Sequence, residues 1–571
     1  MLTELAEPFN RLPVEMNKFV GAQLLWRDPS ASRHDELSDG QFVDNYSWLT
    51  KSNFLDDKTR VRADVSATMF AERYGGVGLA TNGGGARVVN LADVQIKGVG
   101  ANALAGLGAP SSHSYGGLDI QGAVKEIIYS RLLNRISPVG VQAIEGLILL
   151  DATSARHNGD KAPSVLLVRE RVARPGHFMP CVDFRPKPEH RSSMQSDYSR
   201  VLGIYKSIGR HALLSDFYTL VQHFLDKCAD QLSFFRVARL VHGALTPSNL
   251  CLDGRVLDTG LCSFIVSGTN YGQVTSYFDE AATPVLVMRE WFYLIGKFLT
   301  DKPVEDHFFT LYDEKLRQYA FVNIGFMFGV DREMSTTLSP TVEWRKVASR
   351  LLYLLSQGSL TKTSKLPTVD AADFVNDVLT ASLYSILSGR EIPRVSRFLA
   401  EFTVELKALI TMMAPSFTWH GQGEQSFYRS FAIQTVKRAV LSSYFFITYI
   451  GRTVDDHYAA GGIGDSAELI DANARMAAWI FENLVSERST IYSGNGVSIQ
   501  YSSLTDDFIY RDVDGTERRV ADARALRAIV DRSSSGYIVH DYDFKPYLKR
   551  ILALMDGDAE NSFNGVKNVF R

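Results

Sequence analysis

Within Val241–Gly260, VHGALTPSNLCLDGRVLDTG, His242 precedes Asn249 by seven positions and Asp258 follows Asn249 by nine. Short apolar runs, Leu250–Leu252 and Val256–Leu257, lie beside polar turns, so the spacing predicts a loop followed by a short hairpin. An Asn amide and an Asp carboxylate on adjacent turns can share Mg²⁺ or Mn²⁺, a hard cation that takes its other ligands from water and nucleotide phosphates. Asn249 and Asp258 are therefore candidate metal ligands, with Asp258 the candidate catalytic residue.

The layout is that of a protein-kinase catalytic loop, H-x-D-x-x-x-x-N, then a D-x-G. Ala244 occupies the position of the kinase base. Upstream, RYGGVGLATNGGGARVVNLADVQIKGVG (73–100) places glycines at 75, 76 and 78 and again at 83, 84 and 85, followed by apolar runs at 86–91 and 94–96 that end on Lys97. Glycines let backbone N–H groups approach phosphate oxygens, and a strand-end lysine supplies a point charge, although turns alone also collect glycines. Arg169, Arg171 and Arg174 lie within six positions, and guanidinium forks suit bidentate phosphate contacts. A solvated basic edge is the plainer reading of the same run.

These residues require positioning elements. Residues 1–60 mix polar and aromatic side chains with little periodicity and are expected to wrap the first lobe. Residues 98–117 read as a loop. Val124, Ile127, Ile128, Leu132 and Ile136 mark one face of a helix over 120–136, which carries Glu126. Buried strands are expected over 139–151 and 164–168, and a helix over 218–240. Beyond Gly260 the apolar stripes at 285–299, 347–355 and 395–413 are helical, Gly358–Pro367 is the candidate linker, and 508–520 with Asp514-Gly515 at its centre reads as a hairpin. Trp419-His420 and Asp455-Asp456-His457 stand out. Asp456 and His457 could be metal ligands, or a cap or loop.

The chain has 571 residues, 45% hydrophobic and 22% charged, with net charge −3, a profile that makes no case for nucleic acid or anionic membrane as a bulk partner. Cys181, Cys228, Cys251 and Cys262 form no C-x-x-C pair, which argues against a disulfide framework or zinc site and fits a reducing cytosol. The N-terminus has no secretory pattern, and the most apolar helical stretch, 439–450, is broken by Ser442 and Ser443. A cytoplasmic protein with no membrane partner is expected.

Tyr74–Arg87, Lys97–Gly100, Val124–Glu126, Arg169–Phe178 and His242–Gly260 together resemble the selenoprotein-O family of pseudokinases, in order and approximate spacing across residues 40–300. The resemblance implies a kinase-like fold that binds ATP flipped relative to kinases and transfers AMP to protein hydroxyls. It implies that Lys97 and Glu126 form the nucleotide-orienting ion pair. Gly84, Gly85 and Arg87 would form the first glycine turn, Arg169 and Arg174 would hold the inward-pointing phosphate, and Asn249 and Asp258 would hold the metal. The sequence departs from the family pattern in three ways. Ser248 replaces the acidic residue before the metal-binding Asn, and the second glycine turn survives only as Tyr115-Gly116-Gly117-Leu118, with Gly116 its remaining ATP-binding candidate. The end of the chain, VKNVFR, brings no redox-active cysteine.

The expected fold is α+β, kinase-like and bilobal: a wrapping segment over 1–60, a nucleotide-binding core over 61–300 with a small β-rich N-lobe and a helical C-lobe, and a mainly helical region over 301–571. The expected function is ATP- and Mg²⁺-dependent transfer of AMP to a protein or peptide acceptor, either a hydroxyl or a carboxylate that becomes an acyl-adenylate. The alternative is a non-catalytic nucleotide-binding scaffold. A kinase proper ranks third because Ala244 removes its base.

Overall fold

The computed structural model describes residues 1–30, 36–51, 55–56, 59–79, 81–110, 114–155, 161–192, 194–266, 268–299, 306–365, 373–390, 396–417, 423–484, 487–532 and 537–557. It is mixed α+β, with an antiparallel sheet in the N-terminal region and helices beyond it. The sheet comprises β1 (Arg11–Phe19), β2 (Gln23–Arg27), β3 (Trp48–Leu49), β4 (Val61–Glu72), β5 (Val88–Leu91), β6 (Val94–Lys97), β7 (Ile144–Ala155) and β8 (Lys161–Glu170). Their spatial order is β2-β7-β8-β6-β5-β4-β1-β3.

Residues 1–60 therefore do not merely wrap. They supply β1, β2 and β3, and β1 pairs with β4 over nearly its whole length, from Arg11↔Glu72 to Phe19↔Val61. The physical reason is visible in β1: Val14, Met16 and Phe19 face inward while Arg11, Pro13 and Glu15 stay in solvent, an alternation shifted by a register irregularity at Asn17–Lys18.

Helix α1 (Leu2–Asn10) precedes the sheet, α2 (Asp39–Tyr46) covers part of it, and α3 (Ile120–Ile136) spans the interval expected from its apolar stripe. Asp119 caps α3 by accepting from the Gly122 N–H at 2.8 Å, and Pro138 follows its last turn. Glu126 thus sits two turns in, on a helix whose other side is core.

The helical region continues with α4 (Asp197–Arg210), α5 (Leu214–Ala238), α6 (Thr283–Phe298), α7 (Asp306–Asn323), α8 (Arg332–Leu338), α9 (Val342–Ser356), α10 (Phe374–Ser388), α11 (Arg397–Met413), α12 (Glu424–Leu441), α13 (Ile447–Ala459) and α14 (Ser466–Ile480). The two-stranded β9 (Leu240–Val241) and β10 (Ser263–Phe264) close the base of the His242–Gly260 segment. Near the end, β11 (Arg488–Gly494), β12 (Val497–Ser502), β13 (Asp507–Arg511) and β14 (Glu517–Val520) form an antiparallel meander, the last two being the expected hairpin. Helices α15 (Ala523–Arg532) and α16 (Lys545–Asp556) follow it.

One apolar cluster runs from Leu2 and Ala6 through α3, α5 and α6 to Leu552 and Met555. Among the described residues, the helices beyond residue 300 share this cluster with α3, α5 and α6, and so do helices on both sides of the candidate linker Gly358–Pro367. Its described part, 358–365, lies along 268–271: Thr363 donates to the Asn270 carbonyl at 3.1 Å, and the Asn270 amide donates to the Leu360 carbonyl at 3.0 Å. The Trp419-His420 pair lies outside the described residues, as do Pro367 and Val395.

Candidate functional site

Cross-strand register sets the first half of the site. Lys97 ends β6, between Val88 on β5 and Leu167 on β8, while Gln95 lies opposite Arg169. That pairing lets Arg169 donate to the Gln95 side-chain oxygen from Nε at 3.0 Å and from Nη2 at 2.7 Å. The second half comes from the loop between β9 and β10. Leu250 bridges Val256 as the expected hairpin, the Asn249 amide donates to the Ala244 carbonyl at 2.9 Å, and Asp258 follows in a left-handed conformation (φ 58°, ψ 51°). A non-glycine residue held there is locally strained and is turned so that its carboxylate faces the sheet.

The halves meet in a buried ion quartet. Lys97 Nζ donates to Glu126 Oε2 at 2.7 Å and to Asp258 Oδ1 at 2.6 Å. Arg169 Nη1 donates to Glu126 Oε1 at 2.9 Å and to the same Asp258 oxygen at 2.7 Å. Lys97 and Glu126 are each 5% exposed and Arg169 1%, whereas the Asp258 side chain keeps 29% of its surface open. Burial alone would raise the Asp258 pKa, but Lys97, Arg169 and Arg174 outweigh it and hold the carboxyl well below the usual range. Two cations balance two carboxylates, the condition under which a buried cluster is tolerated.

Around this quartet lies a cleft of about 450 Å³ lined by Gly84, Gly85, Arg87, Lys97, Glu126, Arg169, Asn249 and Asp258. Eight of the ten residues assigned from sequence thus line one cleft; Arg174 and Gly116 do not reach its wall. Gly116 packs instead: a Cβ there would lie 1.9 Å from the Ala101 nitrogen, and its carbonyl accepts from Gly100 at 3.0 Å. Arg174 is buried behind the cleft, donating to the Ser248 carbonyl at 2.6 Å with its guanidinium 4.6 Å from the Tyr74 ring centroid. It positions the loop rather than facing a ligand. Arg169 is likewise occupied by protein groups, and Arg171 turns away to Glu7 (2.6 Å) and Glu72 (2.8 Å).

Gly84 is glycine for a steric reason: at φ 124° an added Cβ would lie 2.5 Å from the Glu72 carbonyl oxygen. Its neighbour's N–H is already donated to that same carbonyl at 2.9 Å, so the turn is tied to β4. No family model matches this chain, and no curated protein does.

Three residues assigned no role from sequence matter here. Lys125 lines the cleft beside Glu126 and, like Arg87, has no carboxylate within ion-pair distance among the described residues. Gln95 joins Arg169 and Arg174, which its strand position could have suggested once the β6–β8 register was known. Glu280, just before α6, accepts from the His242 and Gly243 N–H groups at 3.0 and 2.7 Å and from the Thr275 hydroxyl at 3.2 Å, fixing the loop from beneath. Burial pushes its carboxyl up to about 8 against those donors. His242 is itself buried, its Nε2 2.9 Å from the Leu257 carbonyl, and burial lowers its pKa, so the neutral ring is a structural prop.

Among the described residues no cluster of three or more His, Cys, Asp or Glu could hold a metal, including Asp456 and His457. A cation at Asn249 and Asp258 would have two hard oxygen donors from the protein and would need phosphate and water for the rest, a donor set that suits Mg²⁺ better than a transition metal. The four cysteines are free and buried. No helix among the described residues is long and apolar enough to cross a membrane.

Proposed function

We propose that the cleft binds ATP with Mg²⁺ in a kinase-like bilobal fold and transfers AMP to an acceptor carboxylate on a protein or peptide, the carboxylate oxygen bonding to the α-phosphorus as the α–β anhydride breaks and pyrophosphate leaves. The observation that supports this reading most is the division of charge in the cleft. Lys97 and Arg169 are neutralised by Glu126 and Asp258, whereas Arg87 and Lys125 have no ion-pair partner among the described residues. Two cations without a carboxylate partner, Arg87 giving only one Nη1 bond to the Gly117 carbonyl at 3.2 Å, lie beside an ionised aspartate and an Asn amide and suit a polyphosphate and its cation. Leu79, Val88, Leu118 and Leu261 offer apolar wall for a base.

The carboxylates of the cleft support this choice of acceptor. They are Asp119, Glu126 and Asp258; the first caps α3, and the other two are held by cations. Ser248 hydrogen-bonds the Thr246 hydroxyl at 2.8 Å, and Ala244 offers no proton acceptor. No described cleft residue is placed as a general base, so a nucleophile that is already ionised fits better than a hydroxyl. Asn249 and Asp258 would hold the cation, which would supply neutralisation of phosphate charge. Arg87 and Lys125 would orient the phosphates, and Lys97 would tie them to α3.

The same lack of a base also favours a second reading, a nucleotide-binding scaffold without turnover. Incubation of the full chain with Mg²⁺ and ATP labelled separately at the α- and γ-phosphates distinguishes the two. Label from the α-phosphate is expected on a carboxylate-bearing acceptor, in a hydroxylamine-sensitive bond. Arg87→Ala is expected to slow it by roughly 10²-fold or more, the cost of deleting one preorganised donor. Transfer of the γ-label would place ATP in the kinase pose. ATP binding with neither label transferred would leave the scaffold.

A further inference from the structure

A second cavity, of about 520 Å³, lies away from the nucleotide cleft and is lined by Arg135, Arg332, Arg438, Phe234, Phe326 and Phe481. Arg438, on α12, is 3% exposed. Its Nη1 donates to Gln434, to the side-chain oxygen at 3.0 Å and the carbonyl at 3.4 Å, and its Nη2 donates to the Glu482 carbonyl at 2.5 Å. Its Nε is buried without a hydrogen-bond partner. None of these acceptors is a carboxylate.

The nearest carboxylate is already used. Glu482 accepts from Lys437 Nζ at 2.9 Å, from the Gln434 amide at 3.2 Å and from the Thr490 N–H at 3.0 Å. Lys437 is fully buried, so two buried cations share one carboxylate and a positive charge is left over in the core. Such a charge is costly. Burial accordingly draws the Arg438 pKa down to about 9 and that of Lys437 to about 8. The backbone leaves room for it: a Cβ at Gly329 would lie 2.7 Å from Arg438 Nη1.

The rest of the cavity matches this charge. Arg135, exposed in the last turn of α3, has no carboxylate partner among the described residues. Arg332 is committed to Asp230 (2.5 Å) and Asn323 (3.0 Å), and Asp331 caps α8 through the Met334 N–H at 2.9 Å. Phe326 and Phe481 stack at 5.5 Å and 26°, and Phe326 lies 5.9 Å from the Arg438 guanidinium.

From this juxtaposition we infer a binding site for a small organic anion, a carboxylate or phosphate monoester on an aromatic or branched apolar body, whose charge meets Arg438 and Arg135 and whose body meets the phenylalanines. The inference is independent of what the nucleotide cleft does.

Calorimetric titration of the full chain with phenylacetate, phenyl phosphate and uncharged 2-phenylethanol tests it. Saturable binding and a rise in Tm are expected for at least one anion and not for the alcohol, and the stronger anion tells carboxylate from phosphate. Arg135→Ala, at an exposed position, should weaken binding at least tenfold, while Arg87→Ala in the other cleft should leave it intact. Arg438→Met should abolish binding while the protein still melts cooperatively, with Tm unchanged or raised, because an uncompensated buried charge has been removed. Equal binding of the alcohol, no anion binding at all, or anion binding unchanged in both Arg135→Ala and Arg438→Met would each overturn the assignment. Should Arg438→Met not fold, Arg135→Ala and Arg135→Glu decide alone.

Discussion

At the scale of single residues, the site is a charge balance that any substitution disturbs. Neutralising Glu126 leaves Lys97 and Arg169 sharing one carboxylate, and neutralising Lys97 leaves two carboxylates on one arginine. Each single change should cost about 3–5 kcal/mol, the penalty for an uncompensated buried charge. Urea unfolding of Lys97→Met, Glu126→Gln and the double variant should show coupling of about 1 kcal/mol or more; additive losses would mean that the two act independently. Glu280 gives a pH dependence. Its folded-state value near 8 lies above the ordinary 4.5, so between those values the folded protein holds a proton that the unfolded chain has lost. Stability contributed by that proton is full below about 4.5 and is lost as pH rises through 8. Thermal melts from pH 5 to 8 should therefore fall more steeply for the wild type than for Glu280→Gln, with an equal slope counting against the assignment. Lys97, Glu126, Asn249 and Asp258 were legible because motif order fixes their sequence positions. Gln95, Lys125 and Glu280 were not, since their partners come from strand register and loop packing.

Among the elements, the helices could be read best because an apolar stripe survives in sequence whatever it packs against. The stripe over 120–136 coincides with α3, and the serine interruption after Ala439 appears as the short 3₁₀ turn Ser442–Phe445 between α12 and α13. The early strands could not be read, because β1 and β2 carry irregular register and only partial burial, which blurs a period of two. Gly116 separates two element-scale explanations of the loop over 98–117. If it serves only the close approach to Gly100–Ala101, Gly116→Ala should lower Tm by several degrees, and ATP affinity should fall only as far as the folded fraction does. Lost affinity at unchanged Tm, measured by calorimetry beside a melt, would return Gly116 to the nucleotide.

At the scale of the whole molecule, one apolar cluster joins the helices on both sides of residue 300 while a second lies under the N-terminal sheet, and this was the least legible feature, because a glycine- and threonine-rich stretch looks alike whether it separates domains or lies along one. Helices beyond residue 300 complete the apolar cluster that α3 and α5 begin. Residues 1–299 expressed alone should accordingly show a broad, non-cooperative melt with exposed apolar surface, while the full chain melts in one transition by scanning calorimetry. A sharp transition in the fragment would restore the domain boundary. The same packing constrains α3. Its Tyr129 hydroxyl donates to the Phe445 carbonyl at 2.9 Å, Arg131 pairs with Asp471 on α14, and Glu126 on the same helix closes the ion quartet. A helix gripped on both flanks cannot roll outward to turn the cleft off without breaking a buried hydrogen bond and exposing core. Its position is therefore a property of the folded core, the ion quartet and the distant helices holding the same seventeen residues from opposite ends.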